Sequence, residues 1–173
     1  MSFTVSIQLV DFDLTTEVSS LRAADPGVGA VCSFVGTVRE FDAKAAQATQ
    51  ATQATQANSL APSNDSIISL ELEHYPGMTE SSILKMMEQA RVRFGINAAR
   101  VVHRIGVLKP MDQIVLVAVS AAHRGTSFQA CEYLMDYLKT QAPFWKKEQT
   151  IQGQARWVDA RVSDDVAMAK WSN

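Results

Sequence analysis

Apolar and polar residues alternate from Thr4 to Leu9, with Val5, Ile7 and Leu9 in phase, which predicts a half-buried strand. From Leu14 to Ala24 the period lengthens: Leu14, Val18 and Leu21 fall on one helical face, with Asp13 or Thr15 as the cap and Asp25-Pro26-Gly27 as the stop. Gly29 to Arg39 is β-rich through Val31, Phe34, Val35 and Val38, and Ser66 to Tyr75 reads as a further strand with Ile68, Leu70 and Leu72 on one face. Thr79 is expected to cap a helix that runs to about Phe94, with Ile83, Met86, Met87 and Ala90 turned inward. Arg100 to Leu108 and Gln113 to Ala121 are predicted strands joined by a turn at Lys109 to Asp112. The strongest helical pattern covers about Thr126 to Thr140, with Phe128, Cys131, Leu134, Met135 and Leu138 apolar, and Pro143 ends it. Phe144 to Ile151 and Arg156 to Arg161 form a last strand pair turning at Gln152-Gly153, and Ser163 caps a short terminal helix with Asp164 and Asp165 in its first turn.

Strands and helices mix without strict βαβ alternation, so the predicted class is α+β, in one domain covering residues 1–173. One stretch departs from this order. From about Ala43 to Asn64 the chain is Ala, Thr, Gln, Ser and Asn, with an Ala-Thr-Gln repeat over Ala48 to Gln56 and no apolar stripe to bury. It is expected to be a low-complexity surface loop, a short polar helix being the alternative.

Composition narrows the classes of function. The chain is 47% hydrophobic and 20% charged, sufficient for a sizeable core, and its formal net charge of −2 gives no support for general binding to nucleic acid or membrane. The N-terminus lacks the basic and small-residue features of a signal peptide, and no apolar run reaches transmembrane length. Cys32 and Cys131 lie in separate apolar segments, the usage of buried thiols in a reducing compartment. A cytoplasmic protein is therefore expected.

No phosphate-binding glycine loop, CxxC pair, HExxH helix or nucleophile elbow is present, and no metal site or cofactor is expected. Cationic residues at the ends of elements remain. Arg39 closes the second strand, where a strand-end arginine before a loop is usually just solvated. His123-Arg124 precedes a helix N-terminus, a place where backbone N–H groups and a guanidinium favour an anion. His103-Arg104 repeats the dipeptide inside a strand and reads as structural. Lys139 sits in the last turn of the long helix, where the helix dipole alone accounts for a lysine. Period-two alternation puts Lys146 and Glu148 on one strand face and Trp145 and Lys147 on the other. If the passage at Pro143 brings Lys139 near Lys146, two ammonium groups in one pocket lower each other's pKa, as general-base lysines require, while Glu148 restrains the shift and orients one of them.

Several segments in order, Phe34-Val35-Gly36-Thr37-Val38-Arg39, Leu72 to Met78, His103-Arg104-Ile105-Gly106, Ala122-His123-Arg124, Met135 to Lys139, and Ala142-Pro143-Phe144-Trp145-Lys146-Lys147-Glu148 with Trp157-Val158, resemble the large subunit of molybdopterin synthase. The resemblance covers nearly the whole chain apart from the repeat-bearing insert. It implies an α/β-hammerhead-type fold and a sulfur transfer that converts cyclic pyranopterin monophosphate to the dithiolene of molybdopterin. The sulfur donor it implies is the C-terminal Gly-Gly thiocarboxylate of a small ubiquitin-like partner, with two large and two small subunits in a heterotetramer. By motif match Lys139 and Lys146 take the catalytic positions, and Thr37, Val38, Arg39, His123, Arg124, Lys147 and Glu148 join them around the substrate. Phe34 and Met135 match apolar lining positions and Arg161 a second anion-binding arginine.

Helix residues 126 to 139 span about 20 Å at roughly 1.5 Å per residue. His123-Arg124 and Lys139 therefore belong to opposite ends of one helix, and the expected pocket straddles a dimer interface. Two rivals stand beside the enzyme: a non-catalytic module that captures the tail of a ubiquitin-like protein, and a phosphate-ester or nucleotide-binding protein built on His123-Arg124, which leaves Pro143 to Glu148 unexplained.

Overall fold

A computed structural model of the chain describes residues 2–23, 25–39, 67–158 and 162–171. The Ala-Thr-Gln insert and Arg161 lie outside these residues. The described elements are β1 (Phe3–Gln8), α1 (Leu14–Ala23), β2 (Ala30–Thr37), β3 (Ile67–His74), α2 (Met78–Phe94), β4 (Ala98–Arg104), β5 (Gly106–Leu108), β6 (Gln113–Ala121), α3 (Arg124–Thr140), β7 (Phe144–Thr150), β8 (Ala155–Trp157) and α4 (Val162–Ala169).

The uninterrupted apolar run of β6 is explained by burial on both faces of the sheet it joins. Val115, Val117 and Val119 turn toward α2 and α3, together with Ala99 and Val101 of β4, while Leu116 and Ala118 turn toward Phe12 and Leu21 beside α1. That first sheet has the order β1-β4-β6-β2, with β1 parallel to β4 and the other pairs antiparallel. A second sheet, β5-β3-β7-β8, is antiparallel throughout, and Leu70, Leu72 and Leu108 pack with Val38 where it meets the first. The α+β class stands.

The two sheets are joined where one long strand was expected. Arg100 to Leu108 is divided after Arg104, because Ile105 donates its N–H to the Gln8 carbonyl (3.0 Å) and Gly106 takes φ 79°. That left-handed conformation suits glycine. The turn sends β5 to pair with β3 at Leu70↔Leu108.

Other departures have local causes. Leu9 lies beyond the end of β1 and is exposed. A register shift between Ile67 and Ser69 turns Ile67 inward and leaves Ile68, expected inside, 44% exposed. Helix α2 is preceded by Gly77 at φ 81°, whose N–H donates to the Glu80 carboxylate at 2.7 Å; Thr79, the expected cap, is buried in the first turn and donates its hydroxyl to the Tyr75 carbonyl at 3.0 Å. Asp13 caps α1, accepting from the Thr16 N–H at 2.7 Å. Phe128 is 60% exposed: it lies about 120° around α3 from buried Leu134 at roughly 100° per residue. Helix α4 begins at Val162, so Ser163 lies within it instead of capping it, and β8 is shorter than the expected strand.

Candidate active site

The strand β7 follows α3 after three residues and pairs with β3. Its alternation turns Phe144, Lys146 and Glu148 into a cavity of about 630 Å³ at the seam of the two sheets. The last turns of α3 add Met135, Leu138 and Lys139 to the same wall, and the end of β2 adds Phe34, Thr37, Val38 and Arg39. The two lysines, seven residues apart in sequence, thus open onto one space. Lys147 occupies the opposite face of β7, with its Nζ 3.9 Å from Glu71 and 5.7 Å from the centre of the Trp157 ring. It does not join Lys146 in the cavity.

The carboxylates are distributed differently from the expectation. Glu148 is 9% exposed and accepts from Arg156 Nε at 3.0 Å, so its described ion-pair partner is an arginine of β8. The carboxylate beside Lys139 is Asp164 of α4, 3.7 Å from Nζ. Burying a carboxylate is costly unless it is paired, which gives Arg156 a structural duty at this wall.

His103 also lines the cavity. Its ring is stacked on Phe144, centroids 3.7 Å apart and planes 15° from parallel, and Nδ1 donates to the Arg104 carbonyl at 2.8 Å. Burial pushes its pKa down to about 4, against the pull of the Arg104 carbonyl, and the charges of Lys146 and His74 act in the same direction as burial. Nearby, His74 Nδ1 is buried without a hydrogen-bond partner. The structural reading of His103-Arg104 was sound for burial, and Arg104 is held by the Gln113 carbonyl at 3.0 Å and by Asp11 at 3.5 Å. It missed the cavity. The signal was available, since Val101 is a core position and His103 shares its strand face. No sequence signal placed Asp164 or Arg156, which arrive through pairing of distant segments.

His123 occupies the N-cap position of α3 in an extended conformation, without a side-chain cap hydrogen bond, and Arg124 begins the helix. Both are exposed, and neither lines the cavity. Arg124 and Lys139 are about 22 Å apart along the axis at roughly 1.5 Å per residue. A shallower groove of about 350 Å³ shares Phe34, Met135 and Lys139 with the cavity and continues along α3 past Cys131 to Phe128. Cys32 and Cys131 are both free thiols. Among the described residues, no cluster of three or more His, Cys, Asp or Glu side chains is arranged to hold a metal ion, and no helix is long and apolar enough to cross a membrane.

Fold and site together define an α+β protein with a cationic cavity between two sheets, in which Arg39, Lys139 and Lys146 outnumber Glu148 and Asp164. The chain belongs to the family described as MoaE protein, whose profile matches residues 7–141. A molybdopterin synthase catalytic subunit from Ralstonia nicotianae is 49% identical over 168 residues, covering 97% of this chain and 84% of the relative. Among solved structures, the molybdopterin biosynthesis MoaE protein from Burkholderia ambifaria superposes with a TM-score of 0.75 at 46% identity, covering 98% of each chain. A molybdopterin synthase from Staphylococcus aureus gives 0.70 at 26% identity, covering 89% of this chain and 96% of that one.

Proposed function

We propose that this chain is the catalytic subunit of a cytoplasmic molybdopterin synthase, a sulfurtransferase. It moves two sulfurs from the C-terminal thiocarboxylates of small ubiquitin-like carriers to cyclic pyranopterin monophosphate, forming the molybdopterin dithiolene. The observation that carries this reading is the convergence of Lys139 and Lys146, from consecutive elements, on one cavity that also holds Arg39. Family membership and the names of the relatives support it. In each transfer the thiocarboxylate sulfur forms a bond to a pterin side-chain carbon, a carbon–oxygen bond at that carbon breaks and its oxygen leaves protonated, water then cleaves the acyl–sulfur bond, and the carrier leaves as a carboxylate.

Lys139 engages the anionic end of the carrier tail, and Lys146 is the acid–base group for sulfur addition and loss of the displaced oxygen. Arg39 binds the substrate anion, Thr37 and Val38 border it, Glu148 shapes the wall, and Phe34 and Met135 supply apolar contact. His123 and Arg124 serve the pocket of a second copy, with two such copies flanked by two carriers. Three features support that dimer: β2 is the outer strand of its sheet, Phe34 and Phe128 are exposed beside it, and the groove along α3 leads from Lys139 toward the helix N-terminus.

A module that only captures the carrier tail would use the lysines as docking charges. Lys139→Ala and Lys146→Ala decide between the two. The enzyme reading expects sulfur transfer to be abolished while the complex with the carrier survives on a sizing column; weakened docking with a normal turnover rate would establish the module instead.

A further inference from the structure

The roles assigned above leave out His103, an imidazole in the wall of the cavity. Its Nδ1 faces the Arg104 carbonyl at 2.8 Å, and a carbonyl only accepts, so Nδ1 carries the proton. In a neutral ring the lone pair then belongs to Nε2. Among the described residues Nε2 has no hydrogen bond, and His74 Nδ1 is the one side-chain nitrogen or oxygen sealed from solvent without a partner, so Nε2 is not sealed. It is thus open to the cavity that the ring lines. The ring is fixed by its flat contact with Phe144, and Phe144 is two residues from Lys146 on the same face of β7. Among the cavity's lysines and arginines, Lys146 is the one whose charge acts on this imidazole.

We propose that His103 is a positioning residue for Lys146, its Nε2 accepting a hydrogen bond from the ammonium and holding it against the cavity wall. The role in catalysis rests on the reading of Lys146 as the acid–base group. Neutrality suits the task. A cation at this position would repel the ammonium, whereas an anion would bind it too strongly for it to release a proton readily. Burial keeps the ring neutral well below physiological pH. Among the described residues, the other charged or titratable groups around the cavity it lines are His74 from β3, Glu148 from β7 with Arg156 from β8, Lys139 from α3 with Asp164 from α4, and Arg39 after β2.

The test is nitrogen-15 NMR of the free chain, with the His103 ring nitrogens and Lys146 Nζ assigned. From about pH 5.5 to about pH 8 the wild-type ring should keep one tautomer, protonated on Nδ1 with a bare Nε2. A ring protonated on Nε2 would overturn the proposal without any variant. His103→Phe retains a flat ring on Phe144 and removes the acceptor; His103→Gln supplies an amide oxygen. The Lys146 midpoint should fall by about one pH unit in the first, a tenfold change in its ionisation constant, and recover most of that in the second. An unchanged midpoint in folded His103→Phe refutes the role, because a merely structural residue would alter stability and leave this titration alone. The titration needs no carrier or substrate, so it separates two failures. A His103-dependent Lys146 in a protein whose Lys146→Ala variant still transfers sulfur would overturn the acid–base reading alone.

Discussion

Replacing His103 by Phe should flatten the acid limb of the stability profile. The imidazole is 6% exposed, and its folded-state pKa is pushed down from 6.5 to about 4. The unfolded chain therefore binds a proton that the folded chain refuses, and stability falls as pH drops through this window. The full shift, 6.5 − 4 = 2.5 units, corresponds to about 3.4 kcal/mol at roughly 1.36 kcal/mol per unit. Between about pH 7 and about pH 4.5, where the folded group begins to titrate, linkage delivers about 2.4 kcal/mol of that loss. His103→Phe lacks the titration. Urea unfolding of both proteins at about pH 7, 5.5 and 4.5 gives the difference in unfolding free energy at each pH, with carboxylate contributions cancelling. The gap should move in favour of the variant by about 2 kcal/mol as pH falls, whatever its value at neutral pH. Curves that remain parallel to within about 0.5 kcal/mol would refute the burial argument.

Gly106→Ala should lower stability by about 1–2 kcal/mol in urea melts, because the turn between the sheets holds φ 79° and a Cβ there would lie 2.9 Å from Leu9 Cδ2. Leu72→Ala, at the centre of the second sheet's core and 1% exposed, should cost about 2–5 kcal/mol in the same assay. Asp164→Asn removes the carboxylate 3.7 Å from Lys139; since the lysine is half exposed, urea melts should show a stability change of less than about 1 kcal/mol. Mixed dimers of Lys146→Ala and Arg124→Ala protomers, each inactive alone, should regain activity if the pocket straddles two copies, and no recovery in verified mixed dimers would place both residues in the pocket of a single copy.

Much of the fold could be read from periodicity because most elements bury one stripe or one face. The inner face of α2 and the α3 positions Cys131, Leu134, Met135 and Leu138 were legible for that reason, and so was the facing of Lys146 and Glu148. What failed depended on partners distant in sequence. The break after Arg104 serves pairing with β3, the shift at Ile67 serves pairing with β7, and no local pattern records either. At the site, residue type and spacing identified Lys139 and Lys146 as candidates, and resemblance supplied their chemistry. The partners of the carboxylates were hidden, since Glu148 meets Arg156 through a strand pair and Lys139 meets Asp164 through packing of α4 against α3. His103 could have been found by carrying the alternation of Val101 one step further.

The proposed chemistry is sulfur transfer at the cavity that holds both lysines. Its most direct test incubates the purified chain with a carrier bearing a C-terminal thiocarboxylate and with cyclic pyranopterin monophosphate, and follows both by mass spectrometry. The expected outcome is a pterin product that has gained two sulfurs, two carriers converted to carboxylates for each product formed, and neither change with Lys146→Ala. A carrier that binds and keeps its sulfur in the presence of the precursor would contradict it.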